Sequence, residues 1–185
     1  MSSISKSMYR FSCVLLLMCS LNASANSLPE LVTRDVAGLA LRGSAVMRFI
    51  GLKVYDVRLW TPMKPFTYAD PFAVELVYNM SFSGKDIADR SVKEMRAHGV
   101  SDEMKLKRWG DEMARIFPDI KKGDTLIGVF VPGKEIRFFS REKLIATVAD
   151  AEFAKAFFDI WLSDKTSEPK LRDKLLGAVA AAGTK

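Results

Sequence analysis

The stretch LRGSAVMRFIGLKVYDVRLWT, Leu41 to Thr61, decides the fold. It divides at Gly51 into two runs of strand-forming residues. Leu52 to Thr61 is rich in β-branched and aromatic side chains. Alternation puts Leu52, Val54, Asp56, Arg58 and Trp60 on one face and Lys53, Tyr55, Val57 and Leu59 on the other. Gly51 suggests a tight turn back to a partner strand over Leu41 to Phe49. Pro62 and Pro65 mark the exit, because neither can donate to a sheet ladder.

Working outward, Leu31 to Val36 is a short candidate strand before this pair, and Phe72 to Met80 (FAVELVYNM) is a further strand after it. The pattern then becomes helical. Ser83 with Asp86 has the form of an N-terminal cap, Ile87, Ala88, Ser91, Val92 and Met95 share one side, and Gly99 supplies a stop. A second helix follows Ser101 and runs to Phe117, with Met104, Leu106, Trp109, Met113 and Phe117 expected on its buried side and Pro118 ending it. Thr125 to Val131, Glu135 to Ser140 and Lys143 to Val148 form a three-strand meander around a Pro132-Gly133 turn. Two helices close the chain. Asp150 caps the first, with Phe153, Phe157, Ile160 and Trp161 on one face; Ser167 caps the second, with Pro169 in its first turn and Leu171, Leu175 and Leu176 turned inward. Strands and helices in separate runs, without strand–helix–strand alternation, give an α+β fold: an antiparallel sheet with helices on one face. A ligand site is expected between the sheet and that layer, where a pocket has a rigid floor.

The 185 residues carry 28 Lys+Arg against 22 Asp+Glu, one His and two Cys, and 49% are hydrophobic. That apolar content rules out a disordered chain. Scarce His and Cys argue against zinc, iron–sulfur and haem centres, and no carboxylate spacing suggests a metal site or another cofactor. Lys6 and Arg10, the apolar run Phe11 to Leu21 and the small residues Ala23-Ser24-Ala25 read as a secretory signal peptide over residues 1–25, cut between Ala25 and Asn26. The run is short for a membrane span, which needs about 20 apolar residues. Cleavage removes both Cys13 and Cys19, so the mature fold cannot depend on a disulfide. Residues 26–185 then form a single domain in the periplasm or secreted, with no transmembrane segment. The basic excess is interleaved with acids, which describes a solvated surface and not a nucleic-acid-binding face.

The run Gly43-Ser44-Ala45 with Arg48-Phe49-Ile50-Gly51-Leu52-Lys53-Val54-Tyr55, the helix Ile87 to Met95 and the segment Phe153 to Leu162 together resemble the chalcone isomerase-like family, in its exported bacterial branch. The resemblance implies an open-faced β-sandwich, a large antiparallel sheet with a helical layer. It also implies one of two activities. The family's isomerases close a chalcone to a flavanone and need donors where enolate charge develops. Its non-catalytic relatives bind fatty acids through an Arg and a Tyr.

The resemblance puts the pocket arginine at Arg48, with Arg42 the alternative because the hairpin is short, and the pocket tyrosine at Tyr55. The isomerase Tyr before the central helix is replaced by Phe82 and Ser83, and the helix positions that carry Lys and Asn in isomerases fall near Asp86 and Arg90. No catalytic residue is assigned. The expected function is therefore binding of a small amphipathic anion such as a fatty acid, with Arg48, Tyr55, Arg90 and Arg42 as ligand-binding candidates. An intramolecular lyase acting on a phenolic enone and an envelope interaction module are the alternatives. Each candidate also has a simpler reading: Arg48 as a surface arginine at a hairpin end, Tyr55 as a half-buried strand tyrosine, Arg90 as a partner of Asp86 four residues earlier. His98, beside Gly99, would complement a helix dipole when protonated.

Overall fold

The structure, a computed structural model, describes residues 27–177. The signal-peptide reading of residues 1–25 lies outside them. Ten-residue strands β1 (Ala40–Phe49) and β2 (Leu52–Thr61) form the expected hairpin. The two residues at its turn, Ile50 and Gly51, both take positive φ, 48° and 78°, the geometry that matches the twist of a two-residue hairpin. Then come β3 (Phe72–Tyr78), α2 (Gly84–Ala97), α3 (Glu103–Ile116), β4 (Thr125–Val131), β5 (Glu135–Phe139), β6 (Leu144–Val148), α4 (Ala151–Leu162) and α5 (Pro169–Leu176). The strands make one antiparallel sheet in the order β1-β2-β3-β4-β5-β6. Neighbours in space are neighbours in sequence, so the α2–α3 pair between β3 and β4 is the one long excursion.

One element differs in kind. Leu31 to Val36, read as a strand, lies in a helix, α1 (Glu30–Asp35). Pro29 fixes the backbone at its start, Glu30 and Arg34 pair one turn apart, and Val32 turns inward. Its β-branched residues favour a strand, but six residues anchored by Leu28 and Val32 on the sheet override that propensity. Two smaller corrections concern faces. Met104 is 86% exposed, because the buried stripe of α3 runs Leu106, Trp109, Met113 at three- and four-residue steps and Met104 falls outside it. Ser167 does not cap α5; Glu168 holds that position, and the Ser167 hydroxyl donates to Glu94 instead.

The sheet has two unequal covers. Val57 and Leu59, Phe72, Val74 and Leu76, Leu126 and Phe130, Ile136 and Phe138 face helices α2 to α5 and form the main core. The alternate residues Trp60, Ala73, Ile127, Val129 and Phe139 meet Leu28 and Val32 of the α1 segment in a small second core. Among these second-face positions Glu75 is fully buried, receiving Arg58 Nη1 at 3.3 Å, Trp60 Nε1 at 3.2 Å and Arg141 Nη1 at 3.2 Å. The helix starts are well satisfied. Ser83 and Asp86 form a reciprocal capping box on α2, and Asp102 and Asp150 accept backbone N–H groups at α3 and α4. Phe153, Phe157, Ile160 and Trp161, expected on one face of α4, are all buried, and so is Phe158. Phe158 sits over Gly128, where a side chain would collide with its ring. Among the described residues no helix is long and apolar enough to cross a membrane.

Candidate functional site

Tyr55 enters the site from β2. It pairs with Met47 across the hairpin and with Tyr78 on β3, so its side chain joins Val57 and Leu59 on the helix-covered face. There Trp161 of α4 donates its indole Nε1–H to the phenol oxygen at 3.0 Å. Among the described residues no acceptor meets the phenol's own proton. Tyr55 is half-buried as a residue. Burial pushes the phenol up to about 12, against the Trp161 hydrogen bond and the nearby Arg90 charge, which both pull it down. At neutral pH Tyr55 is thus an uncharged hydrogen-bond donor, unsuited to act as a base.

Three charged side chains act on Tyr55 through their fields, Glu94 and Glu168 raising it and Arg90 lowering it, and of these Arg90 is the cation. It stands on α2, where Arg90, Glu94 and His98 follow at four-residue steps along one ridge. Arg90 Nη2 pairs with Glu94 Oε1, and the other carboxylate oxygen accepts Ser167 Oγ at 3.0 Å. Half of the Arg90 side chain, 51%, stays exposed, whereas Glu94 is buried. The arrangement is a half-exposed guanidinium held by a buried carboxylate, its charge reaching a neutral phenol. Such a pair suits one anionic oxygen group at the edge of an apolar layer. The pairing with Glu94 replaces the expected Asp86–Arg90 pair. Asp86 is consumed by the capping box, accepting Ser83 N at 3.3 Å and Ser83 Oγ at 2.6 Å.

The other sequence candidates lie elsewhere. Arg48 is exposed at the hairpin end, its Nη1 donating to Gly51 O at 3.3 Å, and it is not brought to Tyr55. The hairpin register explains this: Arg48 pairs with Lys53, one step from the turn. Arg42 is tied to main-chain carbonyls, Nε to Leu176 O at 3.1 Å and Nη1 to Lys64 O at 2.9 Å, where it braces the end of α5 against β1. Of the four candidates, Arg90 is the arginine whose charge acts on Tyr55, while Arg48 stays at the hairpin end and Arg42 is spent on main-chain carbonyls. Glu94, Trp161 and Ser167 were missed as parts of this cluster. The four-residue step from Arg90 to Glu94 was a readable signal; the contacts made by Trp161 and Ser167 span long stretches of chain and had none.

Before α2, Phe82 packs edge-on to Tyr78, with ring centres 5.9 Å apart, and the Ser83 hydroxyl is spent on the cap. His98 occupies the C-cap of α2, as its place beside Gly99 suggested. Its ring is nearly closed from solvent, with Nε2 3.7 Å from Glu94 Oε2 and no hydrogen-bond partner on either nitrogen among the described residues. It lines an open recess of roughly 170 Å³ with Met95, Trp109, Glu152, Lys155 and Asp159, on the outer side of the helical layer. Among the described residues no cluster of His, Cys, Asp and Glu is arranged to hold a metal.

Comparison with known proteins agrees with this architecture. An uncharacterized protein of Haemophilus influenzae is 26% identical over 136 residues, which take in 73% of this chain and 66% of that one. A fatty-acid binding protein of Arabidopsis thaliana superposes with a TM-score of 0.59 over 80% of this chain and 92% of its own, at 12% identity, a likeness of fold. A family model described as chalcone isomerase-like matches residues 22–177, every element from α1 to α5 included, and the chain therefore belongs to the chalcone isomerase-like family.

Proposed function

We propose that this protein binds a small amphipathic anion, such as a fatty acid, without transforming it, and that it does so in the periplasm or outside the cell after export. The observation that carries the reading is the Tyr55 hydroxyl: it accepts from Trp161, keeps its own proton uncommitted, and feels the charge of Arg90. Arg90 and Tyr55 would hold the carboxylate. The tail would follow apolar side chains packed against the main core yet only partly covered, Met47 on β1, Ile87 on α2 and Leu176 on α5. Family membership and the fatty-acid binding of the plant protein of like fold support this reading. Export rests on the composition of residues 1–25.

An isomerase finds less support. Its chemistry needs hydroxyl donors near the start of the central helix, where this chain has Phe82 and a Ser83 hydroxyl already committed to Asp86. The test is native mass spectrometry and lipid extraction on protein purified from its host, followed by fatty-acid titration. Wild type should carry or take up a fatty acid, and Arg90→Ala and Tyr55→Phe should each bind about tenfold or more weakly, the scale of a lost charge-assisted hydrogen bond. Empty protein with no saturable titration, or titration unchanged in both variants, would overturn the reading.

A further inference from the structure

Beyond the cover of β3, the β1–β2 hairpin continues as a two-stranded ribbon. Pairing of β2 with β3 ends at Tyr55 and Tyr78, followed by one bond from Asn79 N to Val54 O. The part from Arg48 to Lys53 is therefore held by its own two strands alone. At its end three large apolar side chains stand in the open: Phe49 is 56% exposed, Ile50 85% and Leu52 60%. Arg48 and Lys53 flank them, Lys53 pairing with Asp56 at 2.8 Å and Arg48, among the described residues, donating only to the Gly51 carbonyl. Ile50 also sits at φ 48°, a left-handed conformation that asparagine or glycine adopts freely and a β-branched residue does not. Stability alone would not choose isoleucine here.

We propose that this tip is a membrane-docking point, which dips Phe49, Ile50 and Leu52 into the interfacial region of a bilayer bearing anionic lipids while Arg48 meets the headgroups. The shape and charge favour that partner. A narrow convex tip with cations around an apolar end fits a soft, negatively charged surface. The inference goes beyond ligand binding and is read by a different assay.

Protein purified from its host is sedimented with vesicles of phosphatidylcholine plus phosphatidylglycerol and with vesicles of phosphatidylcholine alone. Binding is expected on the anionic vesicles, weakening with added salt. The double variant Phe49→Ser/Leu52→Ser should lose about tenfold or more of that binding with unchanged circular dichroism. Ile50→Asn should lose binding while its thermal midpoint stays level or rises, which separates docking from folding. A Phe49→Trp variant should shift its emission to the blue on vesicles, against a background of native Trp60, Trp109 and Trp161 already buried. No binding to anionic vesicles, or binding unaffected by these substitutions, overturns the proposal. So does a concentration-dependent dimer that the same substitutions abolish, which would give the tip to a second copy.

Discussion

The indole N–H of Trp161 on α4 reaches the phenol oxygen of Tyr55 on β2 at 3.0 Å, joining residues 106 positions apart. The bond fixes which side of the phenol faces the protein and which remains available. It also ties the helical layer to the sheet. Tyr55→Phe would leave the Trp161 N–H without its acceptor in a partly buried place, and should destabilise the fold by about 1–2 kcal/mol. Replacing both, Tyr55→Phe with Trp161→Phe, should recover part of that loss, because neither polar group is then left unpaired. Urea denaturation of the four proteins closes the cycle; strictly additive effects would show that the bond contributes nothing.

Alkaline titration offers an independent reading of the same region. Burial raises Tyr55, Tyr68 and Tyr78 alike, with the Asp159 carboxylate pushing Tyr68 further and Tyr55 adding to Tyr78. A raised folded-state value means that the unfolded chain loses its proton first, at about 10. Their stabilising contribution is therefore complete below about 10 and drains away as pH rises through the folded values, Tyr55's being about 12. Apart from any signal of Tyr9, tyrosinate absorbance should stay low through pH 10, then rise in one step together with loss of the circular dichroism signal. Three ordinary ionisations near pH 10 in a protein that keeps its dichroism would contradict the packing described.

Asp150 works at the acid end. Burial alone would raise its carboxyl, but the Phe153 backbone N–H, the Trp109 indole and the Arg108 charge outweigh it and hold the group below its usual value. A depressed value contributes stability above the unfolded pKa of about 3.9 and loses it as pH falls through the folded one. Asp150→Ala should cost about 1–2 kcal/mol at neutral pH through the lost cap, with the Trp109 N–H stranded as well. Asp150→Asn should keep most of the cap and flatten the acid-side decline. Denaturation midpoints across the acid range check both, and an Asn variant with an unaltered acid slope would remove Asp150 from that role.

Much of this fold is written in local pattern. β2 and β4 have the bounds that their alternation and flanking Gly, Pro and Asp residues indicate, and the caps Ser83 and Asp150 act as their positions suggest. Where local propensity and tertiary anchoring disagree, as in α1, the packing of Val32 decides. The site was half legible. Tyr55 was named by the resemblance, and strand alternation sets it on the same face as Val57 and Leu59. Arg48 was placed by its resemblance to a pocket residue, while the turn at Gly51 already set it at the tip. The Trp161 and Ser167 contacts depend on how α4 and α5 lie over the sheet, which no local pattern encodes.

Gly43 tests that last layer. A side chain there would strike main-chain atoms of α5, with Leu175 O 2.5 Å from the position its Cβ would take, and backbone cannot swing aside as a side-chain tip can. α5 lies so close because Leu171 and Leu175 are buried in the main core and Arg42 clasps the carbonyl of Leu176. Gly43→Ala must therefore lift the end of α5 from β1, at a cost of about 1–3 kcal/mol, the scale of an overpacked core. Ser44→Ala, on the exposed neighbour, should change stability by no more than about 0.5 kcal/mol. Hydrogen exchange should quicken in Lys170 to Leu176 of the Gly43 variant and stay unchanged in α3, which lies away from this contact. Equal urea midpoints for Gly43→Ala and wild type would mean that α5 is free to move off the strand, and the brace that Arg42 supplies would lose its purpose.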